Sequence, residues 1–103
     1  MGIRLLPRKL PASTSTVRVR VFNGYVPDTI WAEAGVPLQI VFRREETAPC
    51  SEQVVFPAFG KSATLPTRKD VAVDLLPEEP GEYEFTCGMG MLRGRLIVER
   101  ARR

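Results

Sequence analysis

Apolar and polar residues alternate along most of this chain. From Val17 to Val21 the string Val-Arg-Val-Arg-Val sets the valines on one side of an extended backbone and Arg18 and Arg20 on the other. That period of two marks a strand with one dry and one wet face. The segment YVPDTIWAEAG places Ile30 and Ala32 on a shared face and ends in a turn near Gly35, and PLQIVFRR then points Leu38, Ile40 and Phe42 inward. After the polar stretch Arg43 to Pro49 comes CSEQVVFP, in which Cys50, Glu52, Val54 and Phe56 share a face if the segment is extended throughout. A loop through Gly60 and Lys61 leads to DVAVDLLP, where Val71, Val73 and Leu75 align. The turn EEPG opens EYEFTC, with Tyr83, Phe85 and Cys87 on its inner face, and a glycine-rich connection delivers the chain into the last strand, RLIVER.

Nine prolines and eight glycines punctuate these runs, and no stretch repeats every three or four residues as a helix would. The pattern predicts an all-β fold, an antiparallel Greek-key β-sandwich of about seven to eight strands. At 103 residues there is room for one domain, expected over residues 17–103. Residues 1–16 read as an N-terminal extension, poorly ordered or an edge segment.

Composition narrows the function by exclusion. No apolar run exceeds three residues, so the sequence contains no transmembrane helix. Pro7 and Pro11 interrupt the basic opening segment, which fails as a secretory signal and favours a cytoplasmic protein; a processed or shortened chain would instead be periplasmic or membrane-tethered. The net charge of +3 comes from arginines spread along the chain without a recognition motif, which argues for solvated faces and against a nucleic-acid partner. There is no histidine, the usual proton shuttle and the commonest metal ligand. Glu78 and Glu79 sit in a solvated turn with no partner carboxylate placed by spacing, and neither a phosphate loop nor the cysteines for an iron–sulfur cluster are present. An enzyme is not expected.

What remains is sulfur. The two cysteines, Cys50 and Cys87, stand at strand–loop boundaries, and two of the three methionines, Met89 and Met91, follow close behind Cys87. Thiolate and thioether donors select a soft cation, above all Cu(I). The interleaved Gly88 and Gly90 allow the backbone to turn sharply enough to aim several side chains at one point.

The segments PCSEQVVFP and YEFTCGMGMLRGRLIV resemble the cupredoxin family, small Greek-key sandwiches that hold copper at one end, and the resemblance extends over most of the chain from Phe22 onward. Cys87, Met91 and Gly94 match the cysteine, methionine and strand-opening glycine of that family, and GYVPDTIWAEAGVPLQIVFRR is similar to its earlier strands. The two histidines of a blue-copper centre have no counterpart: Glu52 precedes QVVF, and the loop after Cys87 carries Met89. A blue site needs those imidazoles. The sequence instead resembles a histidine-free branch with CSxxVVFP and CGMGM segments. That resemblance implies copper as Cu(I), held by Cys50 and Cys87 with Met91 as the preferred third ligand and Met89 as the alternate. Glu52 is either a solvated carboxylate, a ligand for Cu(II) or a hydrogen-bond partner of a ligand. The function implied is copper buffering, transport or delivery, with a copper donor or acceptor protein as partner. Two alternatives stand beside it: a metal-free interaction module closed by a Cys50–Cys87 disulfide, and electron transfer through an unconventional copper site.

Overall fold

The computed structural model describes residues 14–100, so most of the expected N-terminal extension lies outside the described residues. The strands are β1 (Ser15–Val21), β2 (Tyr25–Val26), β3 (Thr29–Glu33), β4 (Leu38–Arg44), β5 (Gln53–Phe56), β6 (Lys61–Thr64), β7 (Asp70–Leu75), β8 (Gly81–Cys87) and β9 (Arg93–Glu99). Two single turns of 3₁₀ helix, η1 (Pro49–Ser51) and η2 (Pro57–Phe59), flank β5. One sheet has the order β2-β1-β4-β7 and the other β3-β9-β8-β5-β6, and their inner faces close on each other as the alternation predicts. Val19, Val21, Leu38, Ile40, Phe42, Val73 and Leu75 from the first sheet meet Ile30, Val54, Phe56, Phe85, Leu96 and Val98 from the second, all buried.

The sandwich is all-β and slightly richer in strands than expected. Its sheets are mixed, because β1 pairs parallel with β4 and β3 pairs parallel with β9 while the remaining strand pairs are antiparallel. Side-chain alternation is the same in both arrangements and cannot distinguish them. YVPDTIWAEAG is two strands in different sheets, since Pro27 cannot donate to a ladder and the chain crosses between sheets there. The segment from Lys61 forms β6, an edge strand paired with β5, where the sequence reading has a loop. Val71 and Tyr83 are half-buried members of the periphery. Tyr83 lies against the Phe59 ring at 5.4 Å and donates its hydroxyl to the Glu79 carbonyl at 2.7 Å, an arrangement available only at the margin of the core.

At the centre four rings interlock. Phe85 stacks on Phe56 at 5.0 Å, and Tyr25 touches Phe85 at 4.9 Å and Phe42 at 6.0 Å. The cluster reaches one end of the sandwich through Phe85, whose strand terminates at Cys87.

Candidate metal centre

Cys87 is the last residue of β8 and keeps the inward parity of Phe85, so its thiol is buried. The chain then wraps around the sulfur. Gly90 donates its N–H to the Cys87 carbonyl at 3.0 Å and Cys87 donates to the Leu92 carbonyl at 3.1 Å, closing a tight loop whose left-handed Gly90 (φ 74°) is a position that favours glycine. Closure turns the N–H groups of Met91 and Leu92 onto the Cys87 Sγ at 3.1 and 3.3 Å. Burial pushes the thiol up, but the N–H groups of Leu92, Met91, Met89 and Gly90 outweigh it, and Cys87 lies below the ordinary thiol value.

Cys50 arrives by a different route. The run from Cys50 to Phe56 is not one extended strand: η1 curls Pro49–Ser51 before β5 begins, so Cys50 and Glu52 do not continue the inward face of Val54 and Phe56. Ser51 is the residue that η1 buries, Cys50 is half-buried and Glu52 is exposed. Arg44 holds this turn. Its parity on β4 follows Leu38, Ile40 and Phe42 inward, and it is only 5% exposed. The guanidinium donates to the Ser51 hydroxyl at 3.0 Å, the Leu65 carbonyl at 2.8 Å and the Ala48 carbonyl at 2.9 Å. Glu46 supplies a nearby negative charge, held below the usual carboxylate range by the Ser51 hydroxyl, the Asn23 N–H and Arg44. Arg44 was not among the candidate residues, although the alternation that places Phe42 inside places Arg44 inside as well.

The two cysteine segments are joined at β5 and β8. Val54 is the register partner of Cys87, and the Gly88 N–H donates to the Gln53 carbonyl at 3.0 Å. A Cβ at Gly88 would stand 2.7 Å from the Gln53 Oε1, the far end of an exposed side chain that would have to swing aside. A surface depression is accordingly lined by Pro49, Cys50, Glu52, Gln53, Gly88 and Met89. Met89 and Met91 are 67% and 71% exposed, so the sulfurs form a gradient from buried Cys87 through half-buried Cys50 to methionines in solvent.

Both cysteines are free thiols; the alternative of a Cys50–Cys87 disulfide does not describe this structure. The Tyr25 phenol, 5% exposed, is held far above its ordinary value, chiefly by burial and then by Cys87 and Cys50. Among the described residues no three side chains of His, Cys, Asp or Glu converge, so Glu52 does not complete a three-ligand set with both thiols. The donor set fits a soft monovalent ion of low coordination number and does not fit the oxygen cages of calcium or magnesium or a four-ligand structural zinc site.

The family model for the cupredoxin-like domain matches residues 5–98. Two solved structures superpose over nearly the whole sandwich. A copper-binding protein, determined by NMR in its apo form, is 42% identical with a TM-score of 0.82, covering 88% of this chain and 93% of that one. The metal-binding domain of the Cu(I)-exporting P-type ATPase CopA of Streptococcus pneumoniae, determined with Cu(I), is 27% identical with a TM-score of 0.84, covering 88% and 91%. Auracyanin B, at 15% identity and a TM-score of 0.68, shares the fold, covering 89% of this chain and 92% of its own. Comparison with curated proteins finds no match.

Proposed function

The chain belongs to the cupredoxin-like domain family, and from that premise we propose that it holds Cu(I) through sulfur and serves to buffer, carry or deliver it. The observation that carries this reading is the wrapped thiol of Cys87, a buried sulfur with two backbone donors aimed at it and a depression containing a second free cysteine beside it. Such donors stabilise a thiolate without themselves being able to bind metal. Identity of 42% to a copper-binding protein and 27% to a Cu(I)-bound domain supports the same ion.

Cys87 and Cys50 are the thiolate ligands in this proposal, and Met91 supplies the third sulfur with Met89 as its alternate. Met91 is tied to Cys87 through its own N–H, whereas Met89 lines the depression of Cys50. Glu52 stays outside the coordination sphere. A site without imidazole binds Cu(I) in preference to Cu(II), which favours retention and ligand exchange over electron transfer and asks for no catalytic step.

Anaerobic Cu(I) titration of the reduced protein tests the proposal against a chromophoric competitor. About one equivalent should bind, with both thiols then protected from alkylation. Cys87→Ser should weaken binding most and Cys50→Ser severely, Met91→Leu moderately and Met89→Leu little, the leucines conserving volume and apolarity. No intense visible band should accompany loading. Wild-type affinity in Cys87→Ser would sink the sulfur site.

A further inference from the structure

Asn23 is the only asparagine in the chain, and Gly24 follows it. Together they turn β1 into β2 with positive φ at both residues, 58° and 126°, a backbone region that asparagine and glycine tolerate best. The same pair brings together the parts of a reaction. Asn23 is exposed and Gly24 half-buried. Among the described residues, neither the Asn23 carboxamide nor the Gly24 N–H makes a hydrogen bond. A Cβ built at Gly24 would meet nothing within 4 Å, so its amide is open to approach. Two contacts hold the turn closed: the Phe22 N–H donates to the Gly24 carbonyl and the Asn23 N–H to the Glu46 carboxylate, each at 2.9 Å. Phe22 and Asn23 are both exposed, and local opening costs least at such a surface turn.

We propose that Asn23 is a modification site at which the chain deamidates itself, the Gly24 nitrogen attacking the side-chain carbonyl carbon of Asn23, and that the carboxylate so formed loosens the turn presenting Cys50. The amide nitrogen gives up its proton to water as its bond to that carbon forms, and the bond from that carbon to Nδ2 breaks with loss of ammonia. A five-membered imide then joins the two residues. Water adds to either imide carbonyl and breaks one carbon–nitrogen bond, leaving aspartate or, with the chain routed through the former side chain, isoaspartate. Asparagine and water have become a carboxylate and ammonia, with nothing oxidised. Glycine is the neighbour that permits this, having no side chain to block the attack. The product sets a second negative charge against Glu46, whose carboxylate accepts from the Asn23 N–H. Glu46 stands just ahead of Ala48, whose carbonyl accepts from Arg44 at 2.9 Å and from the Ser51 hydroxyl at 3.1 Å in the turn that carries Cys50. The effect on copper rests on the copper reading above, whereas the deamidation does not.

The reduced chain, folded and in urea, is held at mildly alkaline pH and followed by intact mass and peptide mapping. Aspartate and isoaspartate at residue 23 should accumulate in the folded chain within about tenfold of the rate in urea, while Asn23→Gln keeps its mass. Asn23→Asp carries the new charge without the ageing that also oxidises thiols. In Cu(I) competition titration its dissociation constant should be several-fold above that of fresh wild type. A folded wild type that keeps its mass while the urea sample converts overturns the modification site. Wild-type affinity in Asn23→Asp overturns its effect on the Cys50 turn. Failure of fresh wild type to bind Cu(I) removes the copper reading and the effect on copper with it, and the mass measurement still decides the modification.

Discussion

Gly94 shows how little latitude single positions have near the sulfur end. It is the register partner of Phe85, and a Cβ there would meet the Phe85 ring at 2.2 Å, with that ring fully buried between neighbours that cannot yield. Gly94→Ala should therefore cost about 2–3 kcal/mol in urea unfolding, the penalty of overpacking a closed core. Cys87 gives a second residue-scale expectation. Its pKa in the folded chain is depressed, so the unfolded chain holds that proton up to higher pH. The resulting stabilisation is full above the ordinary thiol value of about 8.5 and is lost as pH falls through the folded value. Following thiolate absorbance against pH in the metal-free protein should reveal a step below the ordinary range that disappears in Cys87→Ser.

At the scale of elements, the turn that presents Cys50 depends on one side chain from another strand. Arg44→Met keeps the bulk of the side chain but leaves the carbonyls of Ala48 and Leu65 and the Ser51 hydroxyl without their donor, and should destabilise by about 3 kcal/mol. Arg44→Lys should recover only part of this, because one ammonium cannot reproduce a planar fork spanning three acceptors. Both variants should weaken Cu(I) binding more than an exposed charge removal such as Arg18→Gln does, by titration under the same conditions. The same element explains where sequence reading succeeds and stops. Period-two alternation located Val19, Ile40, Phe42, Val54 and Phe85 in the core because each lies in a strand with one dry face. It failed at Cys50, since a 3₁₀ turn after Pro49 breaks the parity, and at β6, whose edge position removes the apolar face that would have marked it. Tyr25 was legible only as a strand residue. That its hydroxyl is buried without a hydrogen-bond partner is a property of three dimensions.

For the whole molecule, loading and folding are linked through mass action. A ligand that binds only the folded chain at a free concentration of a thousand times its dissociation constant adds about 4 kcal/mol. In a domain of this size that raises the unfolding temperature by roughly 15–30 °C. The shift should vanish in Cys87→Ser while its metal-free unfolding temperature changes far less. The four interlocked rings carry a further consequence. Phe85 and Phe56 lie nearly face to face, with an interplanar angle of 24°, and Tyr25 and Phe42 abut Phe85 at steep angles. No ring in this group can rotate about its own axis until its neighbours draw back together. The rate at which the two edges of Phe85 exchange is thus a clock for the breathing of this cluster, and because the strand of Phe85 ends at Cys87, immobilising the sulfur end should slow that clock as far away as Phe42, an effect visible as the splitting of aromatic resonances in an NMR spectrum.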